Sequence, residues 1–200
     1  MKLLSVFLSA ALVLSGPLPA LRASVLAVSL ERLSTRSELI FEGRVLSVES
    51  TLDPDQIGIH TYVTFQVDDV IKGEYLEEEL VLRFLGGTVG DIRVEVADST
   101  FPAVGEEGIY FVESLNRFQV NPFYGVDQGH FLILTESRGQ QIMMTRSRKI
   151  ITGFIPEVGT EETELSRGIV QGVVVDDGSA FPLGVTAIQF KQKIRELAQR

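Results

Sequence analysis

The chain has 200 residues, 44% of them apolar, and a formal net charge of −9. That is enough apolar material for one cored domain and excludes a disordered chain. The acidic balance excludes the basic footprint that nucleic-acid binding requires and argues against docking on an anionic membrane. The chain has no cysteine, which removes disulfides, thiolate catalysis, thiolate metal sites and lipid attachment through cysteine.

The N-terminus has the form of an export signal. Lys2 precedes the apolar run LLSVFLSAALVL at 3–14, and Ser15, Gly16, Pro17 and Pro19 break it. The run is too short to span a bilayer comfortably. Small residues place cleavage after Ala23, or as late as Ala27. Cleavage after Ala23 removes Lys2 and Arg22 but no acid, taking the net charge from −9 to −11. The alternative is an uncleaved N-terminal anchor. The expectation is an exported protein, periplasmic or extracellular, that meets the membrane only through the signal segment before cleavage. Without disulfides its stability rests on packing.

Four parts follow: a signal peptide at 1–23, a β domain at 28–150, an acidic loop-rich segment at 151–185 and a C-terminal helix at 186–200. Residues 29–37 read as a short helix capped by Ser29, with Leu30 and Leu33 on its apolar face. Its brevity requires docking on the sheet that follows. Strand one covers 39–50 (LIFEGRVLSVES), and Gly43 within it predicts a bulge or sharp bend. The polar loop TLDPDQIG at 51–58 carries Asp-Pro and Gly turn signals. Strand two, 59–71, turns Val63, Phe65 and Val67 inward, with Tyr62 and Thr64 outward. The face switches at Asp68-Asp69, which is a second bulge signature.

Strands three (79–85) and four (91–97) are joined by a hairpin at Gly86–Gly90. Strands five (108–113), six (129–134) and seven (140–144) complete the set. Bulges and an internal glycine let a sheet curl until its edges meet. The fold class predicted is therefore mainly β, a small curled antiparallel barrel of OB type, with a two-sheet sandwich as the competitor. In the acidic segment, with Glu157, Glu161, Glu162 and Glu164, a short strand fits 169–175. At 187–199, Ala187, Phe190, Ile194 and Leu197 form one apolar stripe behind a Thr186 cap.

Candidate chemistry is sparse. His60 and His130 are the only histidines, and neither lies in a ligand-spaced cluster. No G-x-S-x-G elbow and no phosphate loop is present. Glu74, Glu77, Glu78 and Glu79 lack the spacing of a calcium loop and read as a solvated turn. Arg138, Arg146, Arg148 and Lys149 read as a balance to the acidic segment, with an acidic partner as the alternative. No catalytic residue, cofactor or metal is predicted. The aromatic-rich loop 116–128 is the functional candidate: Phe118, Phe123 and Tyr124, with Tyr62 on the neighbouring strand face, are candidate partner contacts. The competing reading makes those aromatics a plug at one end of the fold.

The segments FEGRVLSVES, TYVTFQVDDVIKG, VLRFLGG, FPAVGEEGIYFV and GVDQGHFLI together resemble a family of uncharacterised secreted bacterial proteins. The matching positions are Gly43, Lys72, Gly73, Gly86, Gly87, Pro102, Gly105 and Gly129. The resemblance spans about residues 30–134 plus the C-terminal helix. It implies an OB-like domain, found in some members beside metalloprotease-like domains, and no catalytic residues carry over. This chain has no H-E-x-x-H motif, so the resemblance implies a stand-alone member. The functional expectation is an exported, non-enzymatic β module that binds a protein or other cell-envelope ligand. A protease-associated or inhibitor-like module, an enzyme with an unrecognised site, and a purely structural envelope component are the alternatives.

Overall fold

The computed structural model describes residues 26–52, 58–97, 99–155, 169–176 and 183–199. The expected signal peptide at 1–23 and the acids Glu157, Glu161, Glu162 and Glu164 lie outside the described residues.

The fold is mainly β, with two helices. In chain order the elements are α1 (Leu30–Arg36), β1 (Leu39–Leu52), β2 (Ile59–Lys72), β3 (Glu79–Leu85), β4 (Gly87–Val89), β5 (Ile92–Val94), β6 (Glu107–Val112), β7 (His130–Thr135), β8 (Gln141–Thr145), β9 (Ile151–Phe154), β10 (Val173–Val175) and α2 (Ala187–Ala198). A single 3-10 turn, Val126–Gly129, leads into β7. Six strands form one sheet in the order β3-β2-β1-β6-β7-β8. All five neighbouring pairs in it are antiparallel. β4-β5 and β9-β10 are separate two-stranded sheets.

Each face of this sheet carries a core, and the outer face of β2-β3 stays exposed at Tyr62 and Val81. Ile40, Ile109, Phe111, Phe131 and Met143 pack with the apolar sides of α1 and α2 and with β9-β10. Leu39, Phe41, Val45, Val63, Phe65, Tyr110 and Phe123 fill the opposite side. Alternation in β1 and β6 therefore separates two cores, as the period of two along a strand allows.

Three register shifts curl the β1-β2 ribbon. Ile40 faces Lys72 while Phe41 faces Val70, so Ile71 is extra; Glu42 faces Asp69 while Gly43 faces Val67, so Asp68 is extra. Leu46 is extra on β1, between the Val45–Phe65 and Ser47–Thr64 pairs. The face switch read at Asp68-Asp69 is thus a real bulge. Gly43 sits beside it for a steric reason: a Cβ there would stand 2.2 Å from the Gln66 carbonyl oxygen.

No sheet closes on itself. Among the described residues β3 and β8 are the edges of the large sheet. The gap between β3 and β6 is crossed instead by irregular chain: the Leu85 N–H donates to the Val120 carbonyl, and the Glu113 N–H to that of Pro122. Tyr124 N–H then donates to the Phe111 carbonyl, beside a bridge between Val112 and Phe123. Strand four of the sequence reading is shorter than expected. It is β5, paired with β4 across Gly90, because Gly86 (φ +97°) and Gly87 (φ +136°) turn the chain away at the end of β3.

The helices end as their caps dictate. Ser29 Oγ accepts the Arg32 N–H at 3.0 Å. Thr186 and Gln189 form a reciprocal capping box, at 2.9 and 3.2 Å. Ala187, Phe190, Ile194 and Leu197 are all buried, so α2 lies on its own sheet. Lys72 ties α1 to β2, its Nζ donating to the carbonyls of Thr35 and Ser37 at 2.8 and 2.7 Å. Those carbonyls stand at the helix C-terminus, where a cation also complements the dipole.

Candidate functional site

The four aromatic residues singled out by sequence separate into two environments. Tyr62 on β2 is 37% exposed and lies opposite Arg83 of β3. Phe118 is 81% exposed, and the Arg83 guanidinium lies 3.7 Å from its ring centroid. Arg83 thus joins Tyr62 and Phe118 into one surface, to which Val81 and Val120 add exposed apolar side chains. A guanidinium stacked on an aromatic face limits the motion of both groups.

Phe123 belongs to the core instead, at 2% exposure. Its ring centroid lies 5.3 Å from that of Phe84, 5.5 Å from Tyr110 and 5.6 Å from His130. The Asn121 side chain sets this orientation by accepting the Phe123 N–H at 2.9 Å, an Asx turn. The Asn-Pro pair is the sequence signal that could have shown it. Tyr124 is half-buried against the α1 side, and its hydroxyl accepts the Arg32 Nε–H at 3.0 Å. For Phe123 and Tyr124 the plug reading describes the packing; Tyr62 and Phe118 stay on the surface.

A second constellation was not singled out by sequence. His130, 1% exposed at the start of β7, places Nε2 2.8 Å from Glu106 Oε1. Arg146, just after β8, lies 3.5 Å from Glu106 Oε2 and donates to the Phe101 carbonyl at 3.1 Å. Three residues distant in sequence converge because β6, β7 and β8 are neighbours in the sheet. Burial lowers the His130 pKa, so the ring is neutral near pH 7. Burial opposes ionisation of Glu106 too, but the His130 contact, the charge of Arg146 and a bond from the Ala103 backbone outweigh it. The carboxyl is held below its ordinary range. Burial, then the Glu106 charge, pushes the Tyr110 hydroxyl up, away from any acid–base role near neutrality. With His130 sealed beneath Tyr110 and Phe123, this arrangement does the work of a clamp. It fastens the loop before β6 to the far half of the sheet and gives a substrate no access to the imidazole.

A third group fastens α2. Lys191 Nζ lies 2.6 Å from Glu42 Oε2 and 2.9 Å from Asp69 Oδ2, and Arg195 lies 3.2 Å from the same Asp69 oxygen. Burial works against the Lys191 charge, but the two carboxylates outweigh it and hold the ammonium above its ordinary range. An open groove of about 490 Å³ lies beside this helix, lined by Thr152, Phe154, Val185, Gln189 and Lys193 among others. Among the described residues no three His, Asp or Glu side chains converge to hold a metal ion, and no helix is long and apolar enough to cross a membrane. Comparison with family models, curated proteins and solved structures finds no match for this chain.

Proposed function

We propose that this chain is an exported, non-enzymatic binding module that meets a protein or other envelope ligand through Tyr62, Val81, Arg83, Phe118 and Val120. The observation that carries the reading is Phe118, an aromatic ring 81% exposed yet held against Arg83. Phe118 does not stand singly: Tyr62, Val81 and Val120 are exposed with it, and contiguous exposed apolar patches mark interaction sites; a preordered aromatic also loses little freedom when it binds. We further read the curled half of the sheet as an OB-like barrel whose last gap is crossed by residues 120–124 rather than by a strand. The bulges of β1-β2 and the hydrogen bonds at Leu85, Glu113 and Tyr124 support that reading.

The test is affinity capture from the native envelope fraction with the mature chain, comparing wild type with a Tyr62→Ala, Phe118→Ala double variant. Circular dichroism establishes that the variant keeps the fold. Loss of one captured species supports the reading; the same species retained at equal yield refutes it. The mass of the mature protein tests export separately, since cleavage after Ala23 removes residues 1–23.

A further inference from the structure

We infer that β3 is a homodimerisation edge, on which a second copy of this chain pairs antiparallel about a two-fold axis at Val81. The inference starts from the backbone and is independent of any ligand at Phe118. The Val67 N–H donates to the Glu78 carbonyl and the Gly86 N–H to that of Ile59. In an antiparallel ladder this fixes the alternation: Leu80, Leu82 and Phe84 bond to β2, while Glu79, Val81, Arg83 and Leu85 aim their backbone groups away from it. Two contacts agree with that phase. Leu85 N–H reaches Val120, and the Glu79 carbonyl accepts the Tyr75 hydroxyl at 2.6 Å. Each end of the outer edge is therefore guarded, and between the guards no described residue bonds the N–H and C=O of Val81 or Arg83.

The occupant follows from the strand's own sequence, ELVLRFL. Glu79 and Arg83 stand symmetrically about Val81 on the exposed face. Two-fold pairing places Val81 against Val81 of the second copy, and each Glu79 against Arg83 of the other. A strand centred elsewhere would set Glu79 against Glu79 or leave Arg83 unmatched. The backbone groups match as well. The two Val81 residues exchange both bonds, each Glu79 N–H meets the Arg83 carbonyl of the other copy, and the Arg83 N–H takes the second lone pair of the Glu79 carbonyl beside the Tyr75 hydroxyl. Arg83 can keep its stacking on Phe118 while its in-plane donors reach a carboxylate. Because the pairing is isologous it consumes the edge, so it ends at a dimer and builds no fibre.

The chain has no cysteine, which makes a direct test available. Hydrogen-bonded antiparallel partners have Cα atoms about 5.5 Å apart and Cβ atoms at the wide end of about 4.5–5.5 Å, beyond the roughly 3.5–4.5 Å of a relaxed disulfide, so a short thiol-to-thiol cross-linker reports the pairing. Val81→Cys in the mature chain is expected to form a covalent dimer with a short bismaleimide, whereas Ile92→Cys, exposed on β5, is expected to stay monomeric. Sedimentation of the cysteine-free chain should show a dimer. Glu79→Arg or Arg83→Glu alone should weaken it on the order of tenfold, and the two together should restore it. A wild-type monomer up to the solubility limit, a Val81→Cys yield no higher than that of Ile92→Cys, or no recovery in the double reversal would each overturn the inference. Capture through Tyr62 and Phe118 could still succeed in any of those cases, so failure here is distinguishable from failure of the proposed function.

Discussion

Replacing Lys191 by methionine removes one ammonium and keeps most of the apolar stem. Glu42 and Asp69 are directly paired residues on β1 and β2, an arrangement of like charges that destabilises a sheet unless something neutralises it. The Lys191 side chain is 17% exposed and Glu42 14%, so the pair lies between a surface bridge and a buried one. Surface bridges contribute about 0–1 kcal/mol, whereas orphaning a buried charge costs about 3–5 kcal/mol. Arg195 still reaches Asp69 in the variant, so Glu42 is the group left alone. We therefore expect a loss of about 2–3 kcal/mol. At roughly 2–4 °C per kcal/mol for a chain of this size, that is a fall in Tm of about 5–10 °C. Thermal and urea unfolding of Lys191→Met, Glu42→Gln and the double variant would measure it. Glu42→Gln removes the stranded charge, so the double variant should recover at least about 1 kcal/mol relative to additivity. A Lys191→Met loss under about 0.5 kcal/mol, or strict additivity, refutes the reasoning. The pH dependence has a definite sign. The folded-state pKa of Lys191 is raised above its ordinary 10.5, so its contribution is present below that pH and is lost as pH rises through the folded value.

Further expectations concern the core and the clamp. Gly43→Ala forces a Cβ to within 2.2 Å of Gln66 O; we expect destabilisation of about 3 kcal/mol by urea titration, and a value near zero would show that the bulge relaxes freely. Phe123→Ala should lose about 3–5 kcal/mol, whereas Phe118→Ala should change stability by under about 1 kcal/mol, so equal losses would refute the division of the loop into core and surface. Acid should weaken the fold in two stages. The lowered His130 pKa removes stability as pH falls below its ordinary 6.5, and the lowered Glu106 pKa removes more below its ordinary 4.5. His130→Gln should abolish the first stage of a Tm-versus-pH profile and shrink the second, because the His130 contact is the first of those that hold the Glu106 carboxyl down; an unchanged profile would show that His130 does not titrate between the two states.

Local signals carried much of the fold. Ser29 and Thr186 capped their helices as read, and the stripe Ala187, Phe190, Ile194 and Leu197 is buried as its spacing required. The Asp68 bulge was legible because a one-residue slip shows directly as a phase change. Closure was not legible, because whether a curled sheet meets its own edge depends on strands far apart in sequence, and here irregular chain crosses the gap. β9 was missed because its four residues carry no alternation of their own and are held by β10. The candidate surface was half legible. Tyr62 faces out by strand parity, but Phe118 and Phe123 have the same composition signal, and only the Asx turn at Asn121 tells them apart. Glu106, His130 and Arg146 had no local signal, since only the β6-β7-β8 order brings them together.

The two charge clusters, one buried and one partly exposed, share a physical logic that an apolar core alone does not supply. Both sit where a peripheral segment meets the sheet: Glu106 with His130 and Arg146 at the loop before β6, Lys191 with Glu42 and Asp69 at α2. Apolar contacts are non-directional, so the stripe on α2 alone would tolerate a slide along the sheet by one turn, about 5.4 Å. An ammonium held between two carboxylates tolerates no such slide, because displacement strands all the charges together. The position of the carboxylates is itself fixed by the Asp68 bulge, which brings Asp69 opposite Glu42 on the helix side. A backbone irregularity readable in the sequence therefore sets the register of a helix more than a hundred residues later. It does so in a chain without disulfides, where packing and charge are what remain to specify one arrangement.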